Sequence, residues 1–409
     1  VRPPPVLRGV RPDLLVGSDA MGHFHRASME CFSGPDAGVA RGPAFRRRAE
    51  ALVSLPRRVG GGGGITRGVR TAHAAWLGSW ALAMRPMLDF HPHLLGEVRF
   101  TPGSSGSVDP PADGVVASIM PAYRVLEAAD SAVRAARALG VVLPSGAHGP
   151  DFTLPHPEQF RERSHTQLQR AFATVLHSED WLTLRAGATD PVDRAWLLSC
   201  GFRSIGADFM GVVPAFGALR LAPAEYAVAV RHHFAELQPV VAGVVVCGCG
   251  RPMGERGDAL HYLSCKGGAS GNWFSRFHDS VERQVARMMQ EVYLGRGRVQ
   301  TQDYTGRHVY SPSYVPDITV EDHDGAGSTL VVEVSVFRPT AARHVDVACG
   351  GGASMAVEAY KRSLYGDLAP GVHWRPFIVD PWGHMSPRGL LASWTTCGGS
   401  VGSAVDGVE

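Results

Sequence analysis

The sequence predicts a C-terminal α/β domain, a mixed sheet flanked by helices, behind a small Cys/His-rich knuckle and a mostly α-helical N-terminal half. Three observations predict it. Up to about residue 240, apolar residues recur at helical spacing. Three cysteines and a histidine then crowd into 247–265. From 270 onward an amphipathic helix gives way to short β-branched runs, followed by a further helix and strand.

The 409 residues are 44% hydrophobic and 19% charged, enough apolar mass for two to three domains. A net charge of +2 gives the whole molecule no strong preference for nucleic acid or membrane. No run of about 18 uncharged apolar residues occurs, so no membrane-spanning helix and no membrane partner are expected. The chain opens on Val1 without a signal-peptide pattern, and is read as a piece of a longer protein. Seven cysteines, an odd number with three clustered, favour a reducing intracellular compartment and a metal site over a disulfide scaffold. Of 40 basic residues, only Lys266 and Lys361 are lysine. A surviving lysine in so arginine-biased a chain marks a place where chemistry needs an amine able to lose its proton.

Residues 1–115 read as low-complexity and partly disordered, with Pro3 to Pro5, Arg46 to Arg48 and Gly60 to Gly64 as linker chemistry. One helical segment interrupts them, at 68–99, with Trp76, Leu77, Trp80, Leu82 and Met84. Residues 116–240 form a helical region. Its helices are expected at 121–139, closed by Gly140, at 157–186 through Phe160, Leu168, Phe172 and Leu176, and from Pro223 through Tyr226, Val230, Phe234 and Leu237. His232 and His233 are expected to be solvated or capping residues. Residues 391–409 read as a flexible tail.

The knuckle spans 241–270. Cys247, Cys249, His261 and Cys265 stand as C-x-C-x11-H-x3-C, two close pairs separated by a loop of Gly, Pro, Arg and Asp that cannot build a core. Thiolates and imidazole so spaced suit tetrahedral Zn²⁺, which would supply the folding energy. A pair of buried thiols with an unrelated His and Cys is the plainer alternative.

The α/β domain spans 271–390. Phe277, Val281, Val285, Met288 and Val292 mark its first helix, closed by Gly295 and Gly297. Strands follow at 299–304, 314–320 and 329–336, the last two joined by the turn sequence EDHDGAGS; then come a helix at 353–365 and a strand at 374–379. Fifteen residues separate Asp317 from Glu333, so a hairpin can set the two carboxylates side by side. Close carboxylates repel unless a cation lies between them, and hard oxygen donors suit Mg²⁺ or Mn²⁺. Ordinary turn and surface chemistry explains the same pair. Lys361, four residues before Tyr365, is the available amine. Arg276, Arg283 and Arg287 fall along one line of the first helix, as a phosphate-facing stripe or simply a solvated face.

From about Ser204 the chain resembles the C-terminal region of non-LTR retrotransposon polyproteins that carry a restriction-like endonuclease. Three pieces carry the resemblance in order: Gly206-Ala207 through Pro214 with its Pro-started helix; the knuckle followed by Arg276-Phe277-His278-Asp279; and Pro316-Asp317 with E-V-S-V and Arg338-Pro339, similar to the PD-(D/E)XK motif with its lysine displaced downstream. The resemblance implies a restriction-endonuclease-like core, and a zinc knuckle that helps hold nucleic acid. It further implies DNA, with retroelement RNA, as the partner and the nucleus as the location. Asp317 and Glu333 would then bind the divalent metal, with Glu282 as a weaker partner. Lys361 would serve the attacking water or the scissile phosphate, supported by Tyr365. Residues 116–240 would correspond to a polymerase thumb or linker remnant, and no Tyr-x-Asp-Asp signature of a polymerase palm occurs. A non-catalytic, retroelement-derived nucleic-acid-binding module is the alternative, and a decayed reading frame with an unfolded N-terminal half the third.

Overall fold

In the computed structural model the chain divides into two compact units, Val1–Ala188 and Thr189–Glu409. The structure describes residues 23, 50–56, 61–64, 68–90, 115–141, 143, 154–155, 168–201, 222, 229–230, 232–234, 249–250, 273–295, 297–301, 315–349, 352–365 and 369–386. Helix and a small mixed sheet make up these residues, and no helix among them is long and apolar enough to cross a membrane.

The first unit packs three helices, α1 (Gly68–Phe90), α2 (Val115–Ala138) and α3 (Leu168–Ala186). Each contributes residues three, four or seven apart to one core: Ala74, Leu77 and Ala81; Ile119, Tyr123 and Leu126; Phe172, Val175 and Leu176. Gly78 lets α1 approach α3, since a Cβ there would lie 2.6 Å from the Gln169 Cβ. Arg70 ties the same two helices by ion pairs to Glu179 and Asp180. Helix α2 begins six residues before the expected Pro121, which lies inside it. Ile119 and Met120, almost fully buried, offset the hydrogen bond that proline cannot donate.

The second unit starts earlier than the expected boundary at 240. Helix α4 (Pro191–Gly201) belongs to it, because Ala195 packs with Phe337, Ala348, Ala353 and Ile378. His232 and His233 pack here too, against the solvated or capping role expected of them. The His233 carbonyl accepts from Trp196 Nε1 and Cys200 Sγ, while the His232 ring stacks on Trp382 and donates to the Pro381 carbonyl. With Nε2 donating to a backbone carbonyl, the His232 ring can pack against Trp382.

Helix α5 (Trp273–Val292) leads into strands β1 (Arg298–Thr301), β2 (Ile318–Glu321) and β3 (Thr329–Val336); helices α6 (Ala342–Cys349) and α7 (Ala353–Tyr365) precede β4 (Val372–Val379). The sheet runs β1-β2-β3-β4, antiparallel except for the parallel pair β3–β4. The β2–β3 connection is the expected hairpin. Asp322 Oδ1 accepts the Gly327 N–H, Asp324 Oδ1 accepts the Ala326 N–H, and Gly325 and Gly327 take positive φ. β2 begins at Ile318, later than expected; of the expected first strand, 302–304 lie outside the described residues; and α4 and α6 were not expected as separate helices.

Alternation along the strands divides two cores. Ile318, Val320, Leu330, Val332 and Val334 pack on Val285, Ala286 and Met289 of α5. Ile378, one step from Phe377, turns the other way to α4, α6 and α7. Beyond β4 the chain turns back. Val379 bridges Met385 in antiparallel fashion, and Ser386 N–H donates to the Ile378 carbonyl.

Candidate functional site

Ile318 pairs with Val332 across the hairpin, so one step further Asp317 falls opposite Glu333. There the backbone ladder of β2 ends and the Asp317 side chain continues it, Oδ2 accepting the Val334 N–H at 2.9 Å. Glu333 stands on the sheet face away from the α5 core and is 3% exposed. From α7, Lys361 Nζ donates to Glu333 Oε1 at 2.6 Å. A carboxylate so buried needs a charged partner, and this lysine provides one. The structure thus brings together three of the residues picked out in the sequence: Asp317, Glu333 and Lys361.

Helix α5 adds a fourth. His278 Nε2 donates to the Val334 carbonyl at 3.1 Å and lies 3.7 Å from Asp317 Oδ2. Both backbone groups of Val334 are therefore engaged by side chains, its N–H by Asp317 and its C=O by His278. The Asp317 carboxylate, helped by the Val334 carbonyl and Asp279, raises the imidazole pKa to about 9 against the opposing effect of burial. His278 Nδ1 faces the other way, 3.4 Å from Asp279 Oδ1 and 3.9 Å from Glu282 Oε2. In the sequence His278 stands out only as part of the helix-opening run Arg276-Phe277-His278-Asp279. Its partners are a backbone carbonyl and a strand residue far along the chain, which no local spacing reveals.

The remaining expected residues do not join this group. Arg276, Arg283 and Arg287 are exposed on α5. At about 100° per residue they lie roughly 140–180° around the helix from His278 and roughly 100–140° from Glu282. Tyr365 ends α7, and its side chain lies outside the described residues, as do Cys247, His261 and Cys265. Cys249 is described, and exposed.

Comparison of the chain with protein-family models, with curated proteins and with solved structures found no match.

Proposed function

We propose that the second unit is a metal-dependent DNA endonuclease that nicks one strand, with a zinc knuckle at 241–270 that helps hold nucleic acid. The observation that carries this reading is the convergence of Asp317, Glu333 and Lys361 at the end of the β2–β3 ladder. The element order supports a restriction-endonuclease-like core: a helix, three antiparallel strands, helices, then a strand parallel to the third.

The donor chemistry fits a hard divalent ion, since two carboxylates on adjacent strands offer oxygen ligands where their charges would otherwise repel. Asp317 and Glu333 are the residues that would hold Mg²⁺ or Mn²⁺, whose contribution when bound is Lewis-acid activation of water and phosphate. Val334 N–H fixes the orientation of the Asp317 carboxylate before any ligand arrives. Lys361 neutralises Glu333 and presents an ammonium to the anionic substrate; its amine can release or take a proton, as arginine cannot. Tyr365, one turn beyond Lys361, supports it. Cys247, Cys249, His261 and Cys265 have the donor chemistry for Zn²⁺, and Arg276, Arg283 and Arg287 offer a cationic line to DNA phosphates away from the carboxylates. On this reading the chain is a piece of a retroelement polyprotein that works in the nucleus on DNA and its own RNA.

The test is a nicking assay on supercoiled plasmid with Mg²⁺ or Mn²⁺, comparing the full chain with Asp317→Asn. Nicked circles from the parent alone support the reading. Silence from both, with both folded and zinc bound, replaces it with a non-catalytic nucleic-acid-binding module.

A further inference from the structure

We infer that Tyr293, His323 and His373 form a stacking platform for an unpaired base of single-stranded nucleic acid, which lies on the open face of His373. The rings come from three places: the residue after α5, the β2–β3 turn and strand β4. Between ring centroids, His323 lies 6.5 Å from Tyr293 and 5.2 Å from His373, with the planes inclined by only 14° and 13°. His323 is thus the middle ring of a near-parallel column that ends in Tyr293 and His373. The inference rests on the nucleic-acid reading of this unit, and needs a bound strand rather than a cut one.

Strand register explains why one end of the column is open. His373 pairs with Leu330 across the parallel β3–β4 ladder, so both side chains stand on the sheet face that packs against α5. Tyr293 packs into that same core, at the closed end. β4 is the outermost strand, and His373 is exposed. Among the described residues no second ring stacks on it, so the His373 face turned away from His323 is free to take a planar group. The column is assembled before any ligand arrives, which keeps the ordering cost of binding low.

Two features select the occupant. Every nucleobase has a flat π-face that stacks on an aromatic ring, histidine included. In a duplex that face is covered by the neighbouring base pairs, so the occupant is an unpaired base. The second feature is Arg375, two residues beyond His373, exposed and on the same face of β4. Its charge reaches both other rings. It opposes the rise that burial imposes on the Tyr293 phenol, and adds to the fall that burial imposes on the His323 imidazole. A guanidinium so placed offers N–H donors to the phosphate that accompanies the base. The acids of the turn do not cancel it: Asp322 and Asp324 turn Oδ1 to the Gly327, Ala326 and Ser328 N–H groups. Leu330 and Glu333 are three residues apart on β3, about 10 Å, and face opposite ways. The platform is therefore a holding site near the carboxylates and separate from them.

The test reads binding alone. The full chain, zinc-loaded and carrying Asp317→Asn, is titrated without added Mg²⁺ or Mn²⁺ into fluorescein-labelled oligonucleotides and followed by anisotropy. The probes are oligo(dT), oligo(U), a duplex of the same length and a strand of abasic sites. Adding His373→Ala weakens binding of the base-bearing single strands by about fivefold or more, and leaves the duplex and the abasic strand unchanged. The larger of the oligo(dT) and oligo(U) losses tells whether DNA or RNA is the better occupant. His373→Phe, which keeps a flat ring without its nitrogens, restores the affinity. An equal loss for base-bearing and abasic strands, no loss at all, failure of His373→Phe to rescue, or no binding of either single strand overturns the inference. Plasmid nicking by the parent is scored separately, so base stacking and the endonuclease reading fail independently.

Discussion

Lys361 on α7 and Glu333 on β3 are joined by a 2.6 Å hydrogen bond that ties the helix layer to the sheet at its most buried carboxylate. Truncating the lysine therefore strands a charge inside. Lys361→Met should cost about 2–4 kcal/mol of stability, while Lys361→Met with Glu333→Gln should recover much of that loss. Lys361→Arg should keep the fold and still fail to nick plasmid. Urea denaturation of the three variants, beside the nicking assay, separates the two roles.

Asp317→Asn keeps an oxygen to accept the Val334 N–H and removes only the charge. The fold should survive, and nicking should fall at least a hundredfold. His278 reports the same change. With Asp317 ionised its pKa stands at about 9, raised from 6.5, so the interaction stabilises the fold fully below about pH 6.5. That stabilisation is lost as pH rises through 9. In Asp317→Asn the His278 pKa should drop toward 6.5, and the loss of stability between pH 6.5 and 9 should flatten. Ring-proton NMR against pH reads the first, thermal melts the second.

Asp380 titrates with the opposite consequence. Complete burial raises its carboxyl to about 7, partly offset by the Trp382 and His384 N–H groups that donate to Oδ1. An acid whose folded pKa lies above its unfolded one costs nothing below about pH 4. The cost grows as pH rises toward 7, because only the unfolded chain ionises freely. Asp380→Asn keeps the Oδ1 acceptor and removes the titration. Its stability relative to the parent should therefore increase from pH 4 to 7 and level off above; a pH-independent difference would contradict this.

Gly78→Ala tests the first unit alone. Alanine favours a helix interior by about 1 kcal/mol over glycine. Its Cβ would meet the Gln169 Cβ at 2.6 Å and Cα at 3.0 Å, which is backbone and near-backbone with little room to yield. Overpacking of this kind costs about 1–3 kcal/mol, so the substitution should be neutral to destabilising despite the better helix former. Denaturant melts of the parent and variant decide the sign.

The sequence made β3 legible because Thr329–Val336 alternates between two cores while its turn carries Asp and Gly at the positions a hairpin requires. Helices α5 and α7 announced themselves by apolar spacing, and Lys361 by its rarity. Helix α4 was missed although its start was written plainly: Asp190 caps the Val192 N–H, and Pro191 takes the first helical position. Helix α6 is short, and only Val345 and Ala348 among its described residues reach the core, too little to give a periodic signal. His278 was invisible as a site residue for another reason. What fixes it is a peptide carbonyl on β3, and peptide groups leave no mark in a sequence.

Strand β4 forms the outer edge of the sheet, and exposed edges invite pairing with other chains. Two features close it. Pro376, at mid-strand opposite Glu333, has no N–H to offer a newcomer. Further along, Met385 and Ser386 fold back onto Val379 and Ile378 and occupy that edge with the chain's own backbone. A foreign strand approaching β4 meets a missing donor at its centre and an occupied edge beyond it. The side of the sheet nearest Glu333 and Lys361 is thereby guarded against runaway edge-to-edge association.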